Sequence, residues 1–294
     1  MIKNKWKQIT LIVAVIALTI TAASYFKFFP FERIHYLAIP VEFNEQHIPY
    51  THVEIEGKTC SLILDLGSVS ECWLRKELLD QISKVFIENV KWMDVRGHVH
   101  ETKEYLIPKM KVQTSWIKDI IIREESYMEE SPDSLWNISE QPYDKNGKKL
   151  DGRIGWQFLT SFYPLFDLGN GRFYLTRGPK FLNKLLKEGY HLSSLTSVPF
   201  DIISAGCVVT LNTCLGKKRF LLDTGSSRSL IHRDQSSQLS PISIGNLQLQ
   251  NIEFLHFDFG EKFEDIDGIL GMDFFSKHLI YLDFKGRQAL IGPS

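Results

Sequence analysis

The sequence has little cysteine and almost no excess of charge of one sign. It contains 4 Cys, and none of them has the C-x-x-C spacing that is typical of zinc sites or thioredoxin-like redox motifs. With 34 basic and 35 acidic residues the formal net charge is -1, so a role in nucleic-acid binding has no electrostatic support. The chain also lacks the repeated long apolar runs of a multi-span membrane protein. Its 294 residues, 44% of them hydrophobic, are instead typical of a folded protein with two domains or one large one.

The N-terminus carries the one long uncharged segment. Lys3, Lys5 and Lys7 precede an uncharged run over residues 9–26, which is close to the minimum length for crossing a bilayer as a helix. Basic residues before such a run stay in the cytoplasm. The pattern therefore predicts a cytoplasmic stub (1–8), a transmembrane anchor (9–26), a linker (27–39) and a main domain outside the cytoplasm. A cleaved signal peptide is the alternative, because residues 21–24 are small.

The cysteines leave two interpretations open. In an exported chain an even number of Cys permits disulfides, and the nearest pairs in sequence are Cys60 with Cys72 and Cys207 with Cys214. Four buried thiols would fit the sequence equally well.

Two segments of the chain repeat one order of features. Each begins with an apolar run that ends in Asp-x-Gly-Ser, at Asp65 and at Asp223. An apolar-Gly segment follows at 152–159 and at 268–275, and then a closing run at 165–175 and at 281–291. Short β-branched and aromatic runs broken by Gly, Asn and Asp indicate an all-β protein.

The repeat sets the predicted domain boundaries. We expect an N-terminal lobe over residues 40–180, an interlobe linker over 181–197 and a C-terminal lobe over 198–294. A short helix that ends at Gly189 is predicted within the linker. The first half is longer, and we assign the excess to a polar loop over residues 124–149 and to an extra hairpin near Trp92, in which Gly97 supplies a turn with positive φ.

The two repeated carboxylates point to acid–base chemistry. A pseudo-twofold axis between the halves would bring Asp65 and Asp223 together, and two carboxylates a few Å apart share a proton. The ionised member can take a proton from water while the protonated member hydrogen-bonds a scissile carbonyl. Gly67 and Gly225 allow backbone N–H groups to approach the carboxylates. We expect the hydroxyls of two further residues to donate to the outer carboxylate oxygens: Ser68 and Ser226.

These motifs resemble those of a known family. Asp-Thr-Gly-Ser-Ser at 223–227 resembles the signature of pepsin- and retropepsin-like aspartic peptidases, and the segments at 268–275 and 152–159 are similar to the family's apolar-Gly supporting segment. The resemblance implies a bilobal fold of two β-barrel-like lobes, with a substrate cleft and a flap from the first lobe. It implies a monomer that needs no metal or cofactor. Residues in supporting roles would include Thr224, Gly155 and Gly271, and the flap would contain Trp92 and Gly97.

Two residues depart from the family pattern. Leu66 stands where the family has Thr or Ser, whose hydroxyl locks the two catalytic loops together. Loss of one such hydrogen bond costs about 1 kcal/mol, or up to ~3 kcal/mol if a buried donor is left unpaired. Arg153 replaces an apolar residue of the first supporting segment. The flap tyrosine of pepsins has no clear counterpart, and Trp92 is the candidate substitute.

Other polar residues have simpler interpretations. Asp151, Asp267 and Asp273 flank the supporting segments and are expected to be loop or surface acids. Glu124 and Glu125 are most simply part of a solvated loop. His98 and His100 could touch a metal ion, but two His in a predicted hairpin are more often solvated, so no metal site is expected.

The sequence predicts a membrane-anchored, single-chain aspartic endopeptidase in which Asp65 and Asp223 share the acid and base roles. Its partners would be polypeptide substrates, exported or close to the membrane, and no nucleic acid. The alternative is a catalytically inactive pepsin-like protein that binds extended peptides in its cleft, which Leu66 favours. A retropepsin-like module that works only as an oligomer is a third possibility, and the two internal Asp motifs argue against it.

Overall fold

The computed structural model describes residues 36–95, 97–125, 143–177, 182–260, 263 and 265–294. These belong to one compact unit, His35–Ser294. The predicted stub and anchor lie outside the described residues, as do most of the linker and the middle of the 124–149 loop. Within the described part of the chain, no helix is long and apolar enough to span a membrane.

The first half of the described chain consists of strands with two short helices. Its strands are β1 (Tyr36–Pro40), β2 (Glu42–Phe43), β3 (Pro49–Ile55), β4 (Lys58–Asp65), β5 (Cys72–Arg75), β6 (Val85–Met93), β7 (Val99–Val112), β8 (Ser115–Glu125), β9 (Gly152–Gly155), β10 (Tyr163–Asp167) and β11 (Arg172–Thr176). Its helices are α1 (Lys76–Leu79) and α2 (Trp156–Leu159).

The second half repeats this composition. The connecting helix α3 (Leu182–Lys187) is the short helix predicted before Gly189, whose φ of +95° ends it. The strands are β12 (Thr196–Ile203), β13 (Gly206–Thr213), β14 (Gly216–Leu222), β15 (Leu230–His232), β16 (Ile242–Ile244), β17 (Leu247–Leu249), β18 (Leu255–Phe257), β19 (Gly268–Leu270), β20 (His278–Asp283) and β21 (Gln288–Pro293). Helix α4 (Met272–Phe275) follows β19.

One sheet of the first half closes on itself. Its strand order is β2-β3-β4-β9-β5-β8-β7-β6, and a further pairing of Glu54 with Lys111 joins β3 to β7. The extra hairpin predicted near Trp92 is β6–β7. In the second half, β12-β13-β14-β19-β15-β18 form the corresponding sheet. The predicted mostly-β class with barrel-like sheets is confirmed.

A run of six strands, β1-β11-β10-β20-β21-β12, joins the two halves and continues through β12 into the sheet of the second half, so that 13 strands form one sheet. At the centre of this run Leu165 pairs antiparallel with Tyr281, and Phe166 with Ile280. The closing runs of the two sequence repeats therefore meet at the middle of one sheet. Their apolar side chains are buried there, which fixes the two halves to one another.

The strand that ends in Asp is placed in the same way in both halves. Strand β4 pairs in parallel with β9, and β14 pairs in parallel with β19, so that Ile63 faces Arg153 and Leu221 faces Ile269. This common register makes Arg153 and Ile269 equivalent positions.

Asp151 and Asp267 hold these two strand pairs. The Oδ2 atom of Asp151 accepts the N–H of Ser61 at 2.9 Å, and Oδ2 of Asp267 accepts the N–H of Arg219 at 2.7 Å. The sequence predicts loop or surface acids at both positions. Asp151 does lie in the loop before β9, but it is buried and not on the surface, because it closes a hydrogen-bonded junction between strands.

All four cysteines are free thiols. Cys60, Cys72 and Cys207 are buried and Cys214 is exposed, so the structure has neither disulfide pair nor four buried thiols. Burial raises the pKa of the Cys60 thiol to about 11, which leaves it protonated and unreactive at neutral pH.

Candidate active site

Asp65 and Asp223 lie side by side where the two halves meet. Asp65 is the last residue of β4, and Asp223 follows the end of β14. In each loop the glycine two residues later donates its N–H to Oδ1 of the aspartate, at 3.0 Å for Gly67 and 2.8 Å for Gly225. The two carboxyl groups are close enough for the charge of Asp65 to raise the pKa of Asp223. The structure therefore assembles the pair that the sequence repeat predicts.

The two glycines are required by the close approach of the loops. A Cβ atom on Gly67 would lie 2.5 Å from Cγ of Asp223, and one on Gly225 would lie 2.5 Å from Oδ1 of Asp65. Each glycine thus packs against the aspartate of the other half. Any larger residue would push the carboxylates apart.

Thr224 provides one half of a reciprocal clamp between the loops. Its hydroxyl accepts the N–H of Leu66 at 3.0 Å and donates to the C=O of Leu64 at 2.6 Å. Both Thr224 and Leu66 are completely buried. Leu66 has no hydroxyl, so it cannot form the matching hydrogen bonds to the second loop. The clamp is therefore one-sided, as the sequence predicts.

Gly155 and Gly271 support the two loops from below. A Cβ on either glycine would collide with backbone carbonyl oxygens, those of Ser68 and Ser70 in the first half and those of Ser226 and Arg228 in the second. The residue after each glycine completes the contact. The N–H of Trp156 donates to the C=O of Ser68 at 3.1 Å, and the N–H of Met272 donates to that of Ser226 at 2.8 Å.

The two serines hold their loops through backbone bonds. The N–H of Ser68 donates to the C=O of Asp65, and that of Ser226 to the C=O of Asp223. The hydroxyl of Ser226 donates to the C=O of Arg228 at 2.7 Å, so its single proton is not directed at the Asp223 carboxylate, contrary to the prediction from the sequence.

Arg153 changes the electrostatics of the pair. Its Nη1 atom donates to Oδ2 of Asp65 at 2.9 Å, and its Nη2 atom donates to Oε1 of Glu125. All three side chains are largely buried: that of Asp65 is 8% exposed and that of Glu125 is 6% exposed. Burial alone would lower the pKa of Arg153, but the Glu125 and Asp65 carboxylates raise it above its ordinary value. The guanidinium is therefore permanently charged beside Asp65.

Glu125 is the residue that sequence reasoning missed. The sequence predicts a solvated loop there, but Glu125 lies at the end of β8 and is buried against Arg153. A buried arginine needs an acidic partner, so the arginine in an otherwise apolar segment was the available signal.

The register of the sheets identifies the equivalent of Glu125 in the second half. Strands β5 and β15 hold the same place in their sheets, next to β9 and β19. Glu125 pairs with Arg75 at the end of β5, and Phe257 pairs with His232 at the end of β15. Phe257 is therefore the equivalent of Glu125. Ile269 and Phe257, the counterparts of Arg153 and Glu125, both belong to one apolar cluster. An ion pair on the Asp65 side therefore replaces an apolar contact on the Asp223 side.

This asymmetry divides the proton unequally between the two carboxyl groups. Burial, followed by the negative charge of Asp65, raises the pKa of Asp223 far above its ordinary value. The N–H of Gly225 and the charge of Arg153 offset this only in part. The arrangement favours a protonated Asp223 beside the Asp65 carboxylate that Arg153 contacts.

The predicted flap is the β6–β7 hairpin, and its tip reaches the second half. Trp92 lies near the end of β6, with its ring edge-on to Trp73 at 5.2 Å, and Gly97 has a φ of +89° in the turn. The C=O of Val95 accepts the N–H of Gly260 at 2.9 Å. The Val95 side chain packs on the apolar cluster that contains Ile269 and Phe257.

Comparisons with known proteins identify the fold. No family model matches the chain, and no curated protein matches its sequence. Among solved structures it is similar to basic 7S globulin from soybean, with a TM-score of 0.56 and 9% identity over 88% of this chain and 95% of that one. It is also similar to conglutin gamma, a basic 7S globulin from lupine seeds, with a TM-score of 0.58 and 8% identity over the same shares. Because the sequence identities are only 9% and 8%, the likeness concerns the fold alone. The chain has the pepsin-like fold.

Proposed function

We propose that this chain is a pepsin-like protein that binds extended polypeptide segments between its two aspartate loops and its flap without cleaving them. This is the alternative that Leu66 favoured at the level of sequence. The observation that carries it is the buried ion pair between Arg153 and Asp65, with 2.9 Å between Nη1 and Oδ2.

The ion pair opposes the step that peptide hydrolysis requires. To activate water, the ionised carboxylate must accept a proton from it. In this chain that carboxylate is Asp65, and protonation of Asp65 would leave the Arg153 charge buried with a weakened partner. Oδ1 of Asp65 already accepts the N–H of Gly67, and Oδ2 accepts Arg153. The one-sided clamp at Leu66 also weakens the hold between the two loops.

Aspartic peptidase activity is the second candidate, and the geometry of the pair favours it. A raised pKa such as that of Asp223 suits a general acid, and the reciprocal glycine contacts bring the two aspartate loops close together. In this case Arg153 would fix Asp65 as the base rather than suppress it.

One experiment separates the two candidates. The full-length chain, purified in mild detergent, is incubated with an unbiased peptide library from pH 3 to 8, and both cleavage and retention of peptides are measured by mass spectrometry. We expect retained peptides, competition by a statine-type inhibitor and no cleavage. Cleavage that disappears in both Asp65→Asn and Asp223→Asn would establish the peptidase instead. Failure to retain any peptide would overturn the binding function.

A gain-of-function variant tests the physical reason. Arg153→Ile with Glu125→Phe copies the apolar pair of the second half, and Leu66→Thr restores the missing hydroxyl. We expect this triple variant to cleave peptides and to lose that activity when Asp223→Asn is added. An inactive but folded triple variant that still binds peptides would show that Arg153 is not what suppresses hydrolysis.

A further inference from the structure

The tip of the flap hairpin carries three potential metal ligands that converge on one point. Asp94, His98 and His100 each offer one ligand atom, and these atoms lie within 4.8 Å of one another. Oδ2 of Asp94 is 3.2 Å from Nδ1 of His98 and 3.1 Å from Nε2 of His100. One carboxylate oxygen is therefore approached by two imidazole nitrogens.

We propose that Asp94, His98 and His100 form a binding site for a divalent transition-metal ion of the zinc type, and that the bound ion fixes the flap tip against the second half. The proposal concerns the flap alone and does not depend on whether the aspartate pair is catalytic.

The distances fit such an ion. In a tetrahedral zinc site with Zn–N and Zn–O bonds of about 2.0 to 2.1 Å, neighbouring ligand atoms lie roughly 3.3 Å apart. The two hydrogen-bonded distances here, 3.2 and 3.1 Å, are shorter by only one or two tenths of an ångström. To bind the ion, each neutral imidazole moves its ring proton to its other nitrogen, so the facing nitrogen presents a lone pair. His98 is exposed, which leaves solvent access for a fourth ligand such as water.

The surroundings hold two of the three ligands in position. The Asp94 carboxylate is buried, and its Oδ1 atom accepts the N–H of His98 at 2.9 Å. The His100 ring stacks on Trp92 with 4.6 Å between ring centroids. Such secondary contacts orient metal ligands and typically account for about 10-fold to 100-fold in affinity.

The position of the site explains its effect on the flap. Val95, the residue next to Asp94, bonds to Gly260 through its C=O and packs on the apolar cluster of the second half. A metal ion that fixes the turn from Asp94 to His98 removes the local motions by which Val95 could leave that contact. The ion would therefore stabilise the closed hairpin.

The test uses the full-length, untagged chain in mild detergent after treatment with a chelator. Zn²⁺ affinity is measured by competition with a chromophoric chelator, and Co²⁺ is added as a spectroscopic probe of the ligand set. We expect one ion per chain, a visible Co²⁺ spectrum and quenching of Trp fluorescence. His98→Asn and His100→Phe, the latter retaining the stack on Trp92, should each lower the affinity at least about 10-fold. His256→Asn, at an exposed histidine of the second half, is the matched control and should bind as the wild type does.

Hydrogen–deuterium exchange reports the effect on the flap. We expect Zn²⁺ to slow exchange of the Gly260 N–H in the wild type and not in Asp94→Asn, whose circular dichroism should match that of the wild type. Equal affinity in the wild type and in both histidine variants, or no saturable binding, would mean a hydrogen-bonded cluster only and would overturn the site. Saturable binding with unchanged exchange at Gly260 would overturn the stabilisation of the flap.

Discussion

The Arg153–Glu125 ion pair gives the sharpest prediction, because the second half of the chain has apolar residues at the two equivalent positions. In Arg153→Ile the Glu125 carboxylate keeps its burial, with a side chain only 6% exposed, and loses its cation. Removing one partner of a buried ion pair costs about 3 to 5 kcal/mol. Asp65 is affected less, because the N–H of Gly67 and the carboxyl group of Asp223 still hold it. We therefore expect Arg153→Ile to lower the free energy of unfolding by about 3 kcal/mol or more at pH 7.

The double variant Arg153→Ile/Glu125→Phe should recover most of this loss. It removes the Glu125 carboxylate together with its cation and copies Ile269 and Phe257, which share one apolar cluster in the second half. Replacing a buried ion pair by apolar residues is often neutral or stabilising, so we expect stability within about 1 kcal/mol of the wild type.

Urea unfolding of the full-length chain in mild detergent, followed by Trp fluorescence, measures both effects. Arg219→Ile is the matched control, because Arg219 pairs with Asp201 at the exposed surface, and such pairs contribute about 0 to 1 kcal/mol. A double variant as unstable as the single one would refute the reasoning. It would mean that the loss in free energy of unfolding comes from altered packing and not from an unpaired buried charge.

Three further predictions concern the aspartate loops. Thr224→Val removes the hydroxyl that serves Leu66 and should lower the free energy of unfolding by about 1 to 3 kcal/mol, whereas Thr213→Val at an exposed turn should have little effect in the same urea assay. Gly67→Ala should separate the carboxyl groups and lower the pKa of Asp223 toward its ordinary value, which ¹³C NMR titration of the carboxyl carbon measures; an unchanged titration would contradict the close packing. Asp223→Asn should stabilise the fold at pH 7 by about 1 kcal/mol or more, and less at pH 4. The raised pKa of Asp223 means that the folded state retains a proton that the unfolded chain releases above pH ~4, so wild-type stability falls as the pH rises through that window. Thermal melts that show no such pH-dependent gain would refute this sign.

The membrane anchor, the localisation and the polypeptide partner remain predictions from the sequence. They depend on the apolar run over residues 9–26, the basic residues before it and the family resemblance, and residues 1–35 lie outside the described part of the chain.

Local patterns were sufficient to predict the repeated architecture. An apolar run that ends in Asp-x-Gly-Ser requires a strand followed by a tight turn, and both instances have that form, at Asp65 and Asp223. Gly97 and Gly189 marked a turn and a helix end, because each position requires a positive φ. Such signals lie within a few residues of one another, so they can be read without knowledge of the fold.

The chemical character of the site was decided only by the tertiary structure. Arg153 is 88 residues from Asp65 and 28 from Glu125 in the sequence, and its pairing depends on the register of four neighbouring strands, β4, β9, β5 and β8. The contact of Val95 with Gly260 depends likewise on how the flap crosses to the second half. The motif alone was enough to identify the two residues of the aspartate pair, because it is local and occurs twice. The fold decided how charge is distributed over that pair, because electrostatic energy depends on distances between side chains that are far apart in the chain and buried together.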